Sequence, residues 1–391
     1  MISTHSRYGK HSILVSATVC CGFLLRTFVA VWNGFFGPSF GADVDALGFH
    51  QNAVDYSKDM MLKEMTSAHL YSYLLGAVYR VTGASLFLGS MLSVVVWLIS
   101  AGVVLRTLRL LAVGQAGQFY AMALYALLPS SILYTSVTLR EVYQLLFVNL
   151  SVYSALRIYL NRSRAHWFIL ILSGLGMGLM HGGLLVLAVF IFMAAVIMSF
   201  LFRRRGLYFT KIMLIGPVVA AVVFGGLSLF TNFSYSLDKG VATTIESYQK
   251  GELTGSRAQY IDEVKIDGLV GLLRFVPTAL AQYLFEPVPW RASTVPDIEL
   301  LVENALRAWL IWKALIGLRG TWFLTRRAVI FVFLSYLLLE GLWAIGTTNW
   351  GTASRHHVPS IGLLVIAAFA GERSKRRVAA RAVEGAVGFI A

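Results

Sequence analysis

The strongest constraint on the fold is a series of apolar stretches of about 20 residues that recurs along the chain. An α-helix rises about 1.5 Å per residue, so each stretch can cross about 30 Å of hydrocarbon. Lipid offers no hydrogen-bond partner to free backbone groups, so each crossing has to be helical. The sequence is 57% hydrophobic and 13% charged, which excludes a water-soluble domain. We therefore predict an all-α, polytopic membrane protein with about ten transmembrane helices.

The predicted helices form one transmembrane domain over residues 1–391, with no separate soluble domain. The predicted spans are 12–33, 84–105, 116–136, 141–160, 167–181, 183–202, 210–230, 299–317, 328–346 and 357–371. Cys20 and Cys21 are adjacent inside the first span, which leaves neither a disulfide framework nor normal metal-ligand spacing.

Basic residues predict the orientation of the spans. With the N-terminus in the cytoplasm, every short cytoplasmic turn is basic, as the positive-inside rule requires. These residues are Arg106, Arg109, Arg162, Arg164, Arg203, Arg204, Arg205, Arg319, Arg326, Arg327 and, in the tail, Arg373, Lys375, Arg376 and Arg377. The net charge of +14 is therefore explained by topology, and no nucleic-acid partner is predicted. Both termini are predicted to be cytoplasmic.

Two extracytoplasmic segments are long in this topology, residues 34–83 and 231–298. Each contains a stretch, 68–82 and 266–286, in which polar residues interrupt apolar ones. Counting 266–286 as a span would place the next arginine-rich turn outside. We therefore predict that both stretches are amphipathic helices lying on the membrane surface.

The first long loop carries the acidic candidates for chemistry, Asp43 and Asp45, followed by His50 and His69. Carboxylates beside a histidine, just outside the bilayer, can act as a general base or hold a divalent ion. The alternative interpretation is a solvated acidic loop.

Arg355 and His356 lie in a short outward turn before the last span. A guanidinium group at the start of a helix is suited to binding a phosphate. The alternative is a basic anchor at the membrane interface. Arg140, Glu141 and Glu286 also lie in outward turns, where they could line a polar groove or fix a loop at the interface.

Two charged residues fall inside predicted spans. Arg26 and Glu340 lie seven and six residues before the outer ends of their spans, about 10 Å deep. An unpaired charge at that depth costs at least about 2.5 kcal/mol, so we expect the two to pair or to line one polar cavity. Glu303 and Arg307, four residues apart on one helix, are also expected to pair.

Motifs in a fixed order give the chain a family resemblance. They are Asp45 with Phe49 and Ala53, the stretch 67–75 with its continuation to Gly83, Leu127-Leu128-Pro129, and Leu139-Arg140-Glu141. Over about residues 10–200 this order resembles the GT-C superfamily of polyprenyl-phosphate-sugar glycosyltransferases, which includes protein mannosyltransferases and the bacterial aminoarabinose transferase of lipid A. Stretch 67–75 is similar to a family stretch of His-Pro-Pro-Leu-Tyr-Pro-Tyr-Leu-Leu type but has none of its prolines.

The last third of the chain resembles uncharacterised bacterial exopolysaccharide membrane proteins. The shared motifs are Phe285-Glu286-Pro287-Val288-Pro289-Trp290 and Gly351-Thr352-Ala353-Ser354-Arg355-His356.

The resemblance implies an enzyme of the plasma (inner) membrane that transfers a hexosyl or pentosyl group. Its donor would be a polyprenyl-phosphate-linked sugar and its acceptor a cell-surface glycan or glycolipid. Asp45 or Asp43 would take the acceptor's proton, and Arg355, His356 and Arg140 would stabilise the departing lipid phosphate. A divalent cation, Mg or Mn, is used by some relatives and not by others, so metal ligands in this chain stay unassigned.

Three other functions compete with this interpretation. A polymerase that joins lipid-linked oligosaccharide repeats would need the same base and phosphate site. A flippase or transporter of a lipid-linked sugar would have polar residues near the midplane and inverted repeats, whereas the polar residues here cluster near the predicted outer ends. A non-catalytic assembly subunit is the third alternative.

Overall fold

The computed structural model describes residues 2–39, 42–59, 61, 67–200, 258–261, 268–319 and 323–371. Regular structure in these residues is helical, apart from an isolated β-bridge between Gln259 and Asn349. The helices are α1 (Ile2–Phe35), α2 (Asp43–Lys58), α3 (Ser67–Thr82), α4 (Leu86–Leu110), α5 (Gln115–Leu127), α6 (Pro129–Tyr134), α7 (Glu141–Asn161), α8 (Ala165–Met180), α9 (Leu184–Phe200), α10 (Gly268–Phe285), α11 (Val295–Arg319), α12 (Phe323–Gly346), α13 (Trp350–His356), the 3-10 helix η1 (Val358–Ser360) and α14 (Ile361–Ala370). The predicted all-α class is confirmed for this part of the chain.

Several predicted features lie outside the described residues. They are the span at 210–230, most of the loop at 231–298 and the basic tail after residue 371. The backbone of Asp43 begins α2, but its side chain is also outside the description. Helices α3 and α10 occupy the two stretches expected to be amphipathic, and their position on a membrane surface stays a prediction.

Three of the described helices are long and apolar enough to cross a membrane. They contain the segments Ser12–Phe35 in α1, Leu86–Leu110 in α4 and Thr325–Gly346 in α12. Two shorter apolar segments, Ala165–Met180 and Leu184–Ser199, correspond to α8 and to nearly all of α9. All five coincide with predicted spans, and their lengths support a membrane protein.

Helix α11 has the surface pattern expected of a helix that faces lipid. Large apolar side chains are exposed along it, at Val302, Trp309, Trp312 and Ile316. Polar side chains are buried, at Asp297, Glu303, Asn304 and Arg307. A helix on the surface of a water-soluble protein has the reverse arrangement, whereas intramembrane ionisable groups face the interior of a bundle. This helix is not among the three segments above, and the span at 299–317 stays a prediction.

The predicted span at 116–136 is wrong in one respect, because the helix breaks inside it. Helix α5 ends at Leu127, Leu128 is extended (φ −62°, ψ 125°), and α6 begins at Pro129. Proline disfavours a helical conformation in the residue before it and has no N–H to donate. An unbroken helix would join the Ala126 carbonyl to the Ser130 amide. The break therefore frees both groups.

The last predicted span, 357–371, is divided into η1 and the short helix α14. Helix α14 has 10 residues and rises only about 15 Å, half of a hydrocarbon core. It is buried along its length and packs against α5, α11 and α12. This segment is therefore a central element of the bundle, and whether it crosses the membrane stays a prediction.

Turns from distant parts of the chain meet at one end of the helix bundle. Arg355, before α14, contacts Asp45 in α2 and Glu141 at the start of α7. Arg140 donates to the carbonyl of Met180, at the end of α8, over 3.4 Å. The predicted alternation of span directions places all four segments on the same side, and their contacts agree with it.

Candidate functional site

The candidate site is built around Arg355, which bridges two carboxylates. Its Nη1 donates to Oδ2 of Asp45, 310 residues earlier in the chain, and its Nε lies 3.2 Å from Oε1 of Glu141. We call Asp45, Glu141 and Arg355 the Arg355 cluster. Three side chains that the sequence marked separately are thus brought into direct contact.

Burial differs sharply across the Arg355 cluster. The side chain of Glu141 is 2% exposed, that of Arg355 18% and that of Asp45 53%. Burial lowers the pKa of Arg355 to about 10, so its guanidinium stays cationic at neutral pH. The cluster therefore has a fixed, buried carboxylate on one side of the cation and an accessible carboxylate on the other.

Two hydrogen bonds between helices position the short helix α13, which carries Arg355. The indole Nε1 of Trp350 donates to Asp297 of α11 over 3.0 Å. The hydroxyls of Tyr134 in α6 and Ser354 in α13 are 2.9 Å apart. Because both ends of α13 are attached to other helices, the direction in which Arg355 projects is set by the fold.

Glu286 is connected to α13 indirectly. Its Oε1 accepts from Arg291 over 3.1 Å, and Arg291 donates to the carbonyl of Gln259 over 2.6 Å. The Arg291 guanidinium lies 5.0 Å from the ring centroid of Trp350, within cation–π range. Glu286 therefore fixes the loop beside the site and does not contact the Arg355 cluster.

Arg140 lies beside the Arg355 cluster and links two helices. Its guanidinium is 5.7 Å from the ring centroid of Phe49 in α2, and it also donates to the carbonyl of Met180. As the neighbour of Glu141, it places a second positive charge at this end of the bundle.

His356 faces away from the Arg355 cluster, into the bundle. Its ring stacks on Trp343 with centroids 4.6 Å apart, and its Nδ1 lies 3.0 Å from Oγ1 of Thr347. Burial, followed by the charge of Arg355, lowers its pKa well below the ordinary value, so the imidazole is neutral. Consecutive side chains on a helix diverge, which separates His356 from Arg355.

His50 and His69 connect α2 to α3. Nδ1 of His50 and the hydroxyl of Tyr79 are 2.9 Å apart, and the same distance separates Nδ1 of His69 from the hydroxyl of Tyr56. Burial lowers the pKa of His50. These histidines contact tyrosines of a helical pair, and His50 does not converge with Asp45.

Arg26 is fully buried among neutral partners. It donates to the carbonyl of Ala126 and to Oγ1 of Thr135, each over 2.7 Å, and to Oγ of Ser131 over 3.0 Å. Its guanidinium lies 3.7 Å from the ring centroid of Trp97. The carbonyl of Ala126 is the acceptor freed by the break before Pro129, so Arg26 caps the negative end of α5.

Glu303 caps the other side of the same break. Its Oε1 accepts from the backbone amide of Ser130 over 2.9 Å and its Oε2 from the Ser130 hydroxyl over 2.6 Å. Arg307 instead donates to the carbonyl of Leu284 and to Asn304. The expected pairing of Glu303 with Arg307 is therefore wrong, because the freed amide takes the carboxylate.

Glu340 contacts the residues just after α13. Its Oε2 lies 2.7 Å from Nδ1 of His357, and its Oε1 accepts from the hydroxyl of Ser360. His357 also reaches the carbonyl of Tyr283 over 3.2 Å. The expected pairing of Glu340 with Arg26 is wrong, since each charge is satisfied by other groups.

The partners of these two buried charges nevertheless line one small cavity between α6, α11 and η1. Its polar lining is formed by Ser130, Ser131, Glu303, Arg307, His357 and Ser360. The volume in which a water molecule can be centred is about 20 Å³, enough for one or two water molecules. The cavity is too small for a sugar.

No three His, Cys, Asp or Glu side chains lie close enough to hold a metal ion, within the residues that the structure describes. Asp45 is engaged by Arg355 and His50 by Tyr79. The use of a divalent cation, Mg or Mn, stays a prediction, with no ligand assigned among the described side chains.

Comparisons of the chain with protein-family models, curated proteins and solved structures give no match. A function for this chain is therefore inferred from the geometry of the Arg355 cluster together with the sequence motifs.

Sequence analysis did not identify Ser130, Ser131 and Thr135 as polar partners, nor Asp297 as the acceptor for Trp350. Pro129 was the available indication for the first three. A proline inside an apolar span frees a carbonyl and an amide, and in lipid these groups require polar partners from neighbouring helices.

Proposed function

We propose that this chain is a glycosyltransferase of the plasma (inner) membrane with about ten transmembrane helices and both termini in the cytoplasm. It transfers a sugar from a polyprenyl-phosphate-linked donor to a cell-surface glycan or glycolipid on the extracytoplasmic face. The observation that carries this proposal is the contact of Arg355 with Asp45 and Glu141. It joins a candidate base and a candidate phosphate-binding cation in one site.

Asp45 is the proposed general base. Its carboxylate is the accessible member of the Arg355 cluster, and it takes the proton of the acceptor hydroxyl as that oxygen attacks the anomeric carbon of the donor sugar. The bond from the anomeric carbon to the phosphate oxygen breaks, and polyprenyl phosphate leaves with the electron pair. The side chain of Asp43, the other candidate base, is not described.

Arg355 is the proposed phosphate-binding group. Negative charge grows on the departing phosphate, and a fixed guanidinium can stabilise it more than it stabilises the bound donor. Glu141 holds Arg355 from the buried side, and Arg140 adds a second cation nearby. His356 has its Nδ1 engaged by Thr347, so we assign the phosphate to the arginines.

The membrane setting suits a lipid-linked donor. Large apolar side chains are exposed along α1 and α11, as expected of surfaces that face lipid. The Arg355 cluster lies at the ends of the helices, where the phosphate of a polyprenyl lipid would sit at the interface while its chain remains in the hydrocarbon.

One observation favours a transporter of a lipid-linked sugar as a second candidate. Glu340, His357 and the small polar cavity lie inside the helix bundle, and ionisable groups within transmembrane segments often mark transport paths. Against this, the Arg26 and Glu303 contacts next to the cavity satisfy a broken helix, which is a structural role.

The proposal is tested with purified full-length protein in nanodiscs. Radiolabelled polyprenyl-phosphate monosaccharides and pyrophosphate-linked oligosaccharides are supplied with a mixed glycolipid acceptor fraction, with and without EDTA. We expect sugar transfer from a monosaccharide donor, lost in Arg355→Ala. Chain elongation from the pyrophosphate donors would replace this proposal with a polymerase. Movement of labelled lipid across the bilayer without any transfer would replace it with a transporter.

A further inference from the structure

We propose that Asp45 is an internal competitor of the donor, because it occupies the face of Arg355 that a lipid phosphate ester must take. Donor binding and the Asp45–Arg355 ion pair are then mutually exclusive. The inference rests on the proposed function and deepens it, since it states the order in which the site is occupied.

The two carboxylates of the Arg355 cluster differ in how easily an incoming anion can displace them from the guanidinium. Glu141 is the first residue of α7, and its side chain is 2% exposed, so separating it from Arg355 would take a cation away from a buried carboxylate that water cannot hydrate. Asp45 lies in the first turn of α2, and its side chain is 53% exposed. Solvent can hydrate its carboxylate once it leaves. An incoming anion therefore displaces Asp45 and leaves Glu141 in place.

The exchange also conserves charge. The guanidinium of Arg355 is shared by two carboxylates, and a phosphodiester carries a single negative charge. Replacing the Asp45 carboxylate on Arg355 with the donor phosphate leaves the number of charges around the guanidinium unchanged. Glu141, whose Oε1 lies 3.2 Å from Nε, leaves the terminal nitrogens of the fork for the ligand, the geometry in which guanidinium groups bind phosphate oxygens.

The exchange has a consequence for the reaction. While Asp45 is bound to Arg355, its Oδ2 accepts from the guanidinium and is not free to take a proton from a hydroxyl. Donor binding releases this oxygen. The base thus becomes available only when a donor phosphate is in place, which predicts that the donor binds before the acceptor is activated.

Binding of a soluble probe tests the inference without any transfer reaction. Farnesyl phosphate is titrated by calorimetry into the full chain in nanodiscs, with inorganic phosphate and farnesol as separate probes. We expect Asp45→Asn to bind farnesyl phosphate about tenfold or more tightly than the wild type, since the competitor is neutralised with almost no change of shape. The affinity of Arg355→Ala for farnesyl phosphate should be at least about tenfold lower than that of the wild type.

The matched control is Asp55→Asn. Asp55 lies on the same helix, ten residues further along and therefore about 15 Å from Asp45 along the axis, and it should leave binding unchanged. Equal or weaker binding by Asp45→Asn would overturn the inference. Equal affinities for farnesol and farnesyl phosphate would also overturn it, because the phosphate would then contribute nothing to binding. If inorganic phosphate bound as tightly as farnesyl phosphate, the site would be one for free phosphate, and the proposed lipid-linked ligand would be wrong.

Failure of this inference and failure of the proposed function give different results. If the wild type transferred sugar but Asp45→Asn did not bind farnesyl phosphate more tightly, the competition would be refuted and the transferase function would stand. Tighter binding by Asp45→Asn with no transfer from any donor would keep the competition and remove the transferase.

Discussion

The substitution Arg26→Met tests whether a buried cation caps the helix break before Pro129. Methionine keeps most of the length of the side chain but removes its charge and donors. The variant loses the 2.7 Å bonds to the Ala126 carbonyl and to Oγ1 of Thr135, and the longer bonds to Oγ of Ser131 and to the Gly22 carbonyl. It also loses the guanidinium over Trp97. Thr135 can still donate to the carbonyl of Ser131, whereas Ala126 has no replacement partner.

The magnitude follows from two opposing contributions. Hydrogen bonds from a charged donor contribute about 1.5–3 kcal/mol each, so losing four costs about 6–12 kcal/mol. Removing a charge from inside the membrane returns at least about 2.5 kcal/mol on insertion scales. We therefore expect Arg26→Met to lower the free energy of unfolding by about 3 kcal/mol or more.

Unfolding in mixed micelles by titration with SDS measures this difference. Arg106→Met is the matched control, because Arg106 is exposed on α4, and its stability should stay within about 0.5 kcal/mol of the wild type. If Arg26→Met were as stable as the wild type or more stable, the guanidinium would not be needed at the break and the capping argument would be refuted.

Two further predictions concern packing and pH. A Cβ on Gly34 would lie 2.7 Å from Cα of Phe87, whereas one on Gly102 would meet no atom within 4 Å. Gly34→Ala should therefore lower the thermal unfolding temperature and Gly102→Ala should not; equal temperatures for both would contradict the packing of α1 on α4. His356 stays neutral in the folded protein because burial and Arg355 lower its pKa from 6.5, so the unfolded chain binds the additional proton. Stability should fall as pH drops below about 6.5, and His356→Gln should reduce this slope; an unchanged slope in unfolding at pH 5–8 would contradict it.

Hydropathy predicts the helices of this chain well because membrane crossing imposes length and apolarity on each segment separately. The segments of α1, α4 and α12 that could cross a membrane lie close to predicted spans. Departures occur where proline or a short polar turn acts locally, as at Pro129 and at the division of the last span into η1 and α14.

The candidate site was predictable residue by residue but not as an arrangement. Asp45, Glu141 and Arg355 were each marked by their position in a predicted outer turn, and one-dimensional topology places them on the same side. Their direct contact depends on how α2, α7 and α13 pack, which the sequence pattern does not specify. Arg26 and Glu340 were mispaired because their true partners include backbone and hydroxyl groups that become available only in the folded bundle.

The role of Asp45 as the general base is tested most directly by measuring release of polyprenyl phosphate from one labelled donor in nanodiscs. The proteins compared are the wild type, Asp45→Asn and Asp55→Asn. We expect the rate of release to fall at least about a hundredfold in Asp45→Asn, the range of an essential general base. Asp55→Asn, on the same helix but away from Arg355, should keep the wild-type rate. Unchanged release by Asp45→Asn, or equal loss in both variants, would contradict the assignment of this site.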